Sequence, residues 1–160
     1  MLFVALTLLA SACGGGSKHV ISAHGVRMTV PDGWTRLRPG PDHVDDPRTL
    51  LVVGTTGVRA TPSSCASPVY RLPTSGAAVA VLGWSSIASA GGAPPPGRAP
   101  LSGLVAVRKG TFECFTGRAA GVDLLLAGKR YQLRVLVGDR ASKHQVSQAL
   151  EVARSFEPAG

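Results

Sequence analysis

Val122–Val137, VDLLLAGKRYQLRVLV, decides the fold class of this 160-residue chain. Val122–Ala127 is an apolar run of strand length, and Gly128-Lys129 is a two-residue link of the kind that joins hairpin strands. Arg130–Val137 (RYQLRVLV) then alternates, with Tyr131, Leu133, Val135 and Val137 on one face. Side chains of a strand point alternately to opposite faces, so this pattern predicts an antiparallel pair with one apolar side.

Downstream, Ser142-Lys143-His144-Gln145 fits a capping box. Val146, Ala149, Leu150 and Ala153 follow at helical spacing, which predicts an amphipathic helix over Lys143–Arg154. Phe156 is expected to anchor the helix exit to the sheet. Upstream, Val26–Val30 alternates and Pro31-Asp32-Gly33 closes it with turn chemistry. Trp34–Leu37, Leu50–Gly54 and Ala77–Trp84 read as further strands. Thr111–Thr116 (TFECFT) reads as extended, with Phe112, Cys114 and Thr116 on one face. Gly57–Pro68 reads as irregular, and Ala88–Pro100, with Pro94–Pro96 in a row, as a long loop. One amphipathic helix over several antiparallel strands predicts an α+β fold: a two-layer antiparallel β-sheet backed by a C-terminal amphipathic helix, in a single domain spanning 23–158.

The first residues are of another kind. Met1–Ala12 is an apolar run ending in small residues before Cys13 and Gly14-Gly15-Gly16-Ser17. It is shorter than the roughly 20 residues a membrane-spanning helix needs, and it has the form of an export signal. The string LLASAC-GGGS resembles a bacterial lipoprotein signal. That resemblance implies a signal peptide over 1–12, lipidation of Cys13, a flexible tether over 13–22, and a domain held on the outer face of the cell membrane. Ala10 stands where such signals usually carry Leu, with Leu9 one place further back. No Lys or Arg precedes Lys18, which points to a start further upstream.

Seventeen Lys and Arg against nine Asp and Glu leave a net charge of +8. This balance favours anionic neighbours such as phospholipid head groups or anionic envelope polymers. The basic residues are scattered, aromatic content is low and export removes the partner, so nucleic acid is not expected. Beyond Cys13, Cys65 and Cys114 remain, and in an oxidising compartment a pair in a small domain is expected to form a disulfide. Free buried thiols are the alternative.

Few constellations carry chemistry. Asp42-His43-Val44-Asp45-Asp46 is the densest group of metal-capable side chains, but its spacing fits no calcium loop. His19, His24, His43 and His144 form no metal-ligand motif, and no G-x-S-x-G elbow surrounds any serine. No metal or cofactor is therefore expected, and no catalytic residue is assigned. Trp34 and Trp84 are the side chains available for a ligand surface; the competing reading makes both core anchors.

Val30–Trp34 (VPDGW) and Ser155–Pro158 (SFEP) resemble the entry and exit strings of exported Mog1/PsbP-like domains. The resemblance covers the two ends only. It implies a helix-backed antiparallel sheet and a binding or assembly module without a catalytic site. The expected function is a membrane-anchored envelope lipoprotein that binds a protein or an anionic envelope component. A small envelope hydrolase and a carrier of an apolar ligand are the alternatives.

Overall fold

The computed structural model describes residues 16–65, 67–86, 108–112 and 114–159. The segment read as an export signal (1–12), the Cys13 that follows it and the segment read as a long loop (88–100) lie outside the described residues. Eleven strands and one helix are assigned among them: β1 (Lys18–Ala23), β2 (Val26–Pro31), β3 (Trp34–Arg36), β4 (Arg48–Thr55), β5 (Arg59–Thr61), β6 (Val69–Arg71), β7 (Ala77–Gly83), β8 (Arg108–Phe112), β9 (Phe115–Leu126), β10 (Lys129–Val137), α1 (Lys143–Arg154) and β11 (Glu157–Pro158).

A six-stranded antiparallel sheet, in the order β3-β4-β7-β10-β9-β8, forms the centre. Its front face carries Leu51, Val53, Val79, Val81, Leu133 and Val135. These pack under α1 and a small sheet, β1-β2-β11. Its back face carries Val52, Ala78, Ala80, Leu82 and Leu136, covered by Val58 and Tyr70 of the β5-β6 ribbon and its lead-in. Every residue of β7 is buried. A strand apolar on both sides needs cover on both, so the domain has three layers.

The expected α+β, two-layer design is thereby corrected. Among the described residues the fold is mostly β, with 51% in strands and 10% in helix, and their one helix is short. The helix is where its pattern places it, but α1 covers only part of one face. The expected tether is shorter too, because residues 18–22 pair with β2 in β1, from Lys18↔Pro31 to Ala23↔Val26. Thr111–Thr116 is not one strand but the bend of a hairpin, with Phe112 the cross-strand partner of Phe115.

The β9-β10 hairpin forms one residue earlier than its sequence suggests. Ala127 and Gly128, at φ 50° and 69°, make the turn, and Lys129 pairs with Leu126. Two consecutive left-handed residues match the twist of the flanking strands. Gly138 is needed for close approach, since a Cβ there would meet the carbonyl oxygens of Pro73 and Thr74.

The capping box forms as read. Gln145 N donates to Ser142 Oγ at 3.2 Å, and Ser142 N donates to Gln145 Oε1 at 2.8 Å. Gln145 Nε2 also reaches the Ser75 carbonyl at 2.7 Å, tying the helix start to the β6-β7 connection. Ser142→Ala is expected to cost about 1 kcal/mol, measured as a lowered urea midpoint. At the helix exit, Ser155 Oγ accepts from Thr29 N at 2.8 Å and donates to Val152 O at 2.7 Å. The SFEP segment is thus fastened to β2 at the residue just before VPDGW.

Candidate functional site

Register defines one end of the central sheet. Arg48 lies opposite Gly83, Gly83 opposite Tyr131, and Tyr131 opposite Leu124. The β1-β2 turn at His24-Gly25 and the segment Pro158-Ala159 stand across from this end. Between them lies a groove of about 610 Å³, lined among others by Asp45, Arg48, Trp84, Ser85, Lys129 and Tyr131.

Trp84 is half-buried in this groove. Its backbone N donates to Arg130 O at 3.1 Å, continuing the strand pairing past Gly83. The Arg130 guanidinium sits 5.1 Å from the Trp84 ring centre, a cation–π contact that fixes the ring plane. Arg130 in turn pairs with Asp123 at 3.6 Å. Gln132 Nε2 donates to Asp123 Oδ1 at 3.2 Å, and Arg134 Nε donates to Gln132 Oε1 at 2.7 Å. The polar face of β10 and Asp123 of β9 thus form a continuous ladder along the back of the sheet. It begins under the tryptophan.

The Asp-rich stretch is divided rather than gathered. Asp42 accepts from Thr49 N at 3.0 Å and from Thr49 Oγ1 at 2.7 Å, fastening the entry to β4. Asp46 accepts from Ser85 N and Ser85 Oγ, both at 2.9 Å, holding the residue beside Trp84. Asp45 faces the groove, and its carbonyl accepts from Arg48 Nε at 3.2 Å. Among the described residues no three His, Cys, Asp or Glu side chains converge on a point that would hold a metal ion. The four histidines are exposed and dispersed, His24 alone lining the groove.

The two tryptophans do not share a surface. Trp34 pairs with Thr55 at the far end of β4 and is 3% exposed within the front core. As a ligand-contacting ring it is therefore corrected to a core anchor. Burial of its large apolar face against Val30, Val53 and the helix layer outweighs exposure.

Cys65 and Cys114 form a disulfide with Cα atoms 6.2 Å apart, joining the β5-β6 connection to the bend before β9. Beside it, Tyr70 is 5% exposed, and its hydroxyl has no hydrogen-bond partner among the described residues. Burial pushes the Tyr70 phenol far above its ordinary value of 10.0. The Asp42 carboxylate adds to the rise and the Arg134 cation opposes it. Burial also raises the Tyr131 phenol. The unfolded chain releases these protons from about pH 10 while the native state keeps them. Stability present below pH 10 is then lost as pH rises toward the folded values, at up to about 1.4 kcal/mol per pH unit for each group. Tyr70→Phe is expected to flatten part of that alkaline slope in pH-dependent urea denaturation. It is expected to cost nothing at pH 7, because it removes a buried donor that satisfies no acceptor.

Sequence reasoning named Trp84 but missed Asp123, Arg130, Gln132 and Arg134. For the three on β10 the signal is the polar half of the same alternation that identified that strand, whereas Asp123 lies within the run Val122–Ala127 that reads as apolar. Comparison of the chain with protein families, with curated proteins and with solved structures finds no match.

Proposed function

We propose that this protein is an exported, lipid-anchored envelope module that binds a ligand in the Trp84 groove and does no chemistry on it. The observation that carries the binding reading is the Trp84 ring, half-exposed over a groove and held in plane by Arg130, Asp123 and Gln132. A fixed aromatic face with charged and polar groups at its rim is what a binding site needs for orientation. Export is supported by the LLASAC string at Leu8–Cys13 and by the Cys65–Cys114 disulfide, a bond that persists in oxidising compartments. Ser155 of the SFEP string bonds to Thr29, the residue immediately before the VPDGW string, the other carrier of the Mog1/PsbP-like resemblance.

The hydrolase alternative has Ser85 and His24 on one groove. Ser85 Oγ, however, donates to Asp46 Oδ2, and no hydrogen bond joins His24 to it. The carrier alternative needs space between helix and sheet. That interface is filled by Met28, Leu133, Val152 and Phe156, all buried.

Two measurements test the reading. Tryptophan emission is titrated with isolated wall polymer and with an envelope protein extract. A saturable change that disappears in Trp84→Ala is expected, while no change with either fraction, or an unaltered titration in Trp84→Ala, sinks the binding assignment. The mass of the mature protein from wild-type cells is expected to carry a diacylglyceryl group that Cys13→Ser lacks. A soluble cytoplasmic product with reduced Cys65 and Cys114 would overturn export.

A further inference from the structure

The end of the domain opposite the Trp84 groove carries a second feature. The N-terminal segment enters there: Asp32 N donates to Ser17 O at 3.2 Å, and Ser17 Oγ donates to Asp32 Oδ1 at 2.7 Å. The same end holds the last residues of β4, β6 and β10 and the first turn of α1. Four cations gather around the Pro73–Ser75 loop. Arg59 and Arg71 are direct cross-strand partners in the β5-β6 ribbon. The Thr56-Gly57 turn before them abuts Pro73, whose Cγ would be 3.0 Å from a Cβ on Gly57. Arg140 donates its backbone N to Thr74 O at 2.8 Å. Lys143 opens α1 beside Gln145, which is bonded to Ser75 O.

All four side chains are exposed, and none makes a hydrogen bond or ion pair with a described residue. Two of the placements work against stability. Like charges opposed across a ribbon repel. A lysine in the first helical turn, with no acidic residue there, opposes the helix dipole. Three carboxylates stand at or beside this end: Asp32, bonded to Ser17, Glu151, 3.9 Å from Lys18, and Asp139, which lines a hollow with Arg71. At the opposite end two cations are paired with carboxylates, Arg27 with Glu157 at 2.8 Å and Arg130 with Asp123 at 3.6 Å.

We propose that this tether end is a docking surface for the head groups of anionic phospholipids in the bilayer that anchors the chain. The inference rests on the lipid-anchor reading above. Three residues lie between Cys13 and Ser17, so four chain steps join them, a reach of at most about 14 Å. A domain leashed so closely has this end within about one to two screening lengths of the membrane surface, where charge attraction still acts. A basic face supplies the second signal that a lipid chain uses for stable attachment. It also sets orientation: β4 runs from this end to the groove, about 26 Å of strand, so docking turns Trp84 away from the bilayer.

The test uses the full chain with Cys13→Ser, so that no lipid masks the charge contribution. Its flotation with phosphatidylcholine vesicles gives a baseline, and vesicles that also contain phosphatidylglycerol give the charge increment. Wild-type charge is expected to give an increment that high salt abolishes. Arg59→Gln/Arg71→Gln and, separately, Arg140→Gln/Lys143→Gln are each expected to lower it about 25-fold, at about five-fold per cation. Arg48→Gln/Lys129→Gln, an equal charge loss at the groove end, is expected to leave it unchanged. No increment, or equal loss in the groove-end variant, overturns the proposal. The mass of wild-type Cys13 decides the anchor separately, so the two failures are distinguishable.

Discussion

Phe156→Ala is expected to lower the unfolding free energy by about 3–5 kcal/mol, the largest effect of any single substitution proposed for this chain. Phe156 is 0% exposed and is the largest of the fully buried side chains. Its ring meets Tyr131 edge to face, with centroids 5.2 Å apart and planes at 63°. It follows α1 directly, its N donating to Ala153 O at 3.2 Å. Removing it leaves a cavity where helix, β2 and β10 converge, and frees the exit that Ser155 holds against Thr29. For a domain of this size, which rests on roughly 5–15 kcal/mol in total, that loss threatens folding itself. Phe156→Leu, which keeps most of the volume, is expected to cost about half as much or less. Urea denaturation followed by far-ultraviolet circular dichroism measures both. A cost below 1 kcal/mol for the alanine variant would show that the chain end is not part of the core.

Loss of the disulfide is expected to cost about 4 kcal/mol, from the entropy regained by a 49-residue loop in the unfolded chain. In a double Cys65→Ser/Cys114→Ser variant this corresponds to a fall of roughly 10 °C in Tm. The effect in the native state is local. The β5-β6 ribbon has three residue pairs, and β8 lies at the edge of the sheet. Two-stranded ribbons of that length do not persist alone in water. Without the bond, amide exchange at Ala60 and Tyr70 is expected to accelerate well before exchange in β7 and β10. Uniform acceleration across all strands would show that the bond acts only through the unfolded state.

The parts of the fold legible in the sequence are those made by local patterns. The β9-β10 hairpin, β2, β4, β7 and α1 each carry enough residues for an alternation, an apolar run or a helical stripe to stand out. The capping box and Phe156 were legible because their chemistry lies within a few residues. What escaped were elements too short to show a period. β5 and β6 have three residues each, and they exist because Tyr70 packs on Ala80 and Leu136 from a distant part of the chain. The TFECFT string has apolar residues spaced as in a strand, so its pattern does not distinguish the reversal that pairs Phe112 with Phe115. The leftward shift of the hairpin turn to Ala127-Gly128 follows from the register of Leu124 opposite Tyr131, which no residue near the turn encodes.

The candidate site was legible only in pieces. Trp84, Asp45 and Asp46 stood out as residue types, but nothing local distinguishes Trp84 from Trp34. β4 separates them, with Arg48 beside Gly83 at one end and Thr55 beside Trp34 at the other.

By itself the sequence determined the strands and helix long enough to carry a period, the caps and turns at their ends, and the surplus of positive charge. These depend on interactions within a few residues, where side-chain direction follows from backbone geometry alone. Only the tertiary structure decided that the sheet is covered on both faces, which tryptophan is buried, that Arg130 supports the other, and that Arg59, Arg71, Arg140 and Lys143 meet at one end. Each of those is a contact between segments far apart in the chain, set by which apolar faces bury each other best.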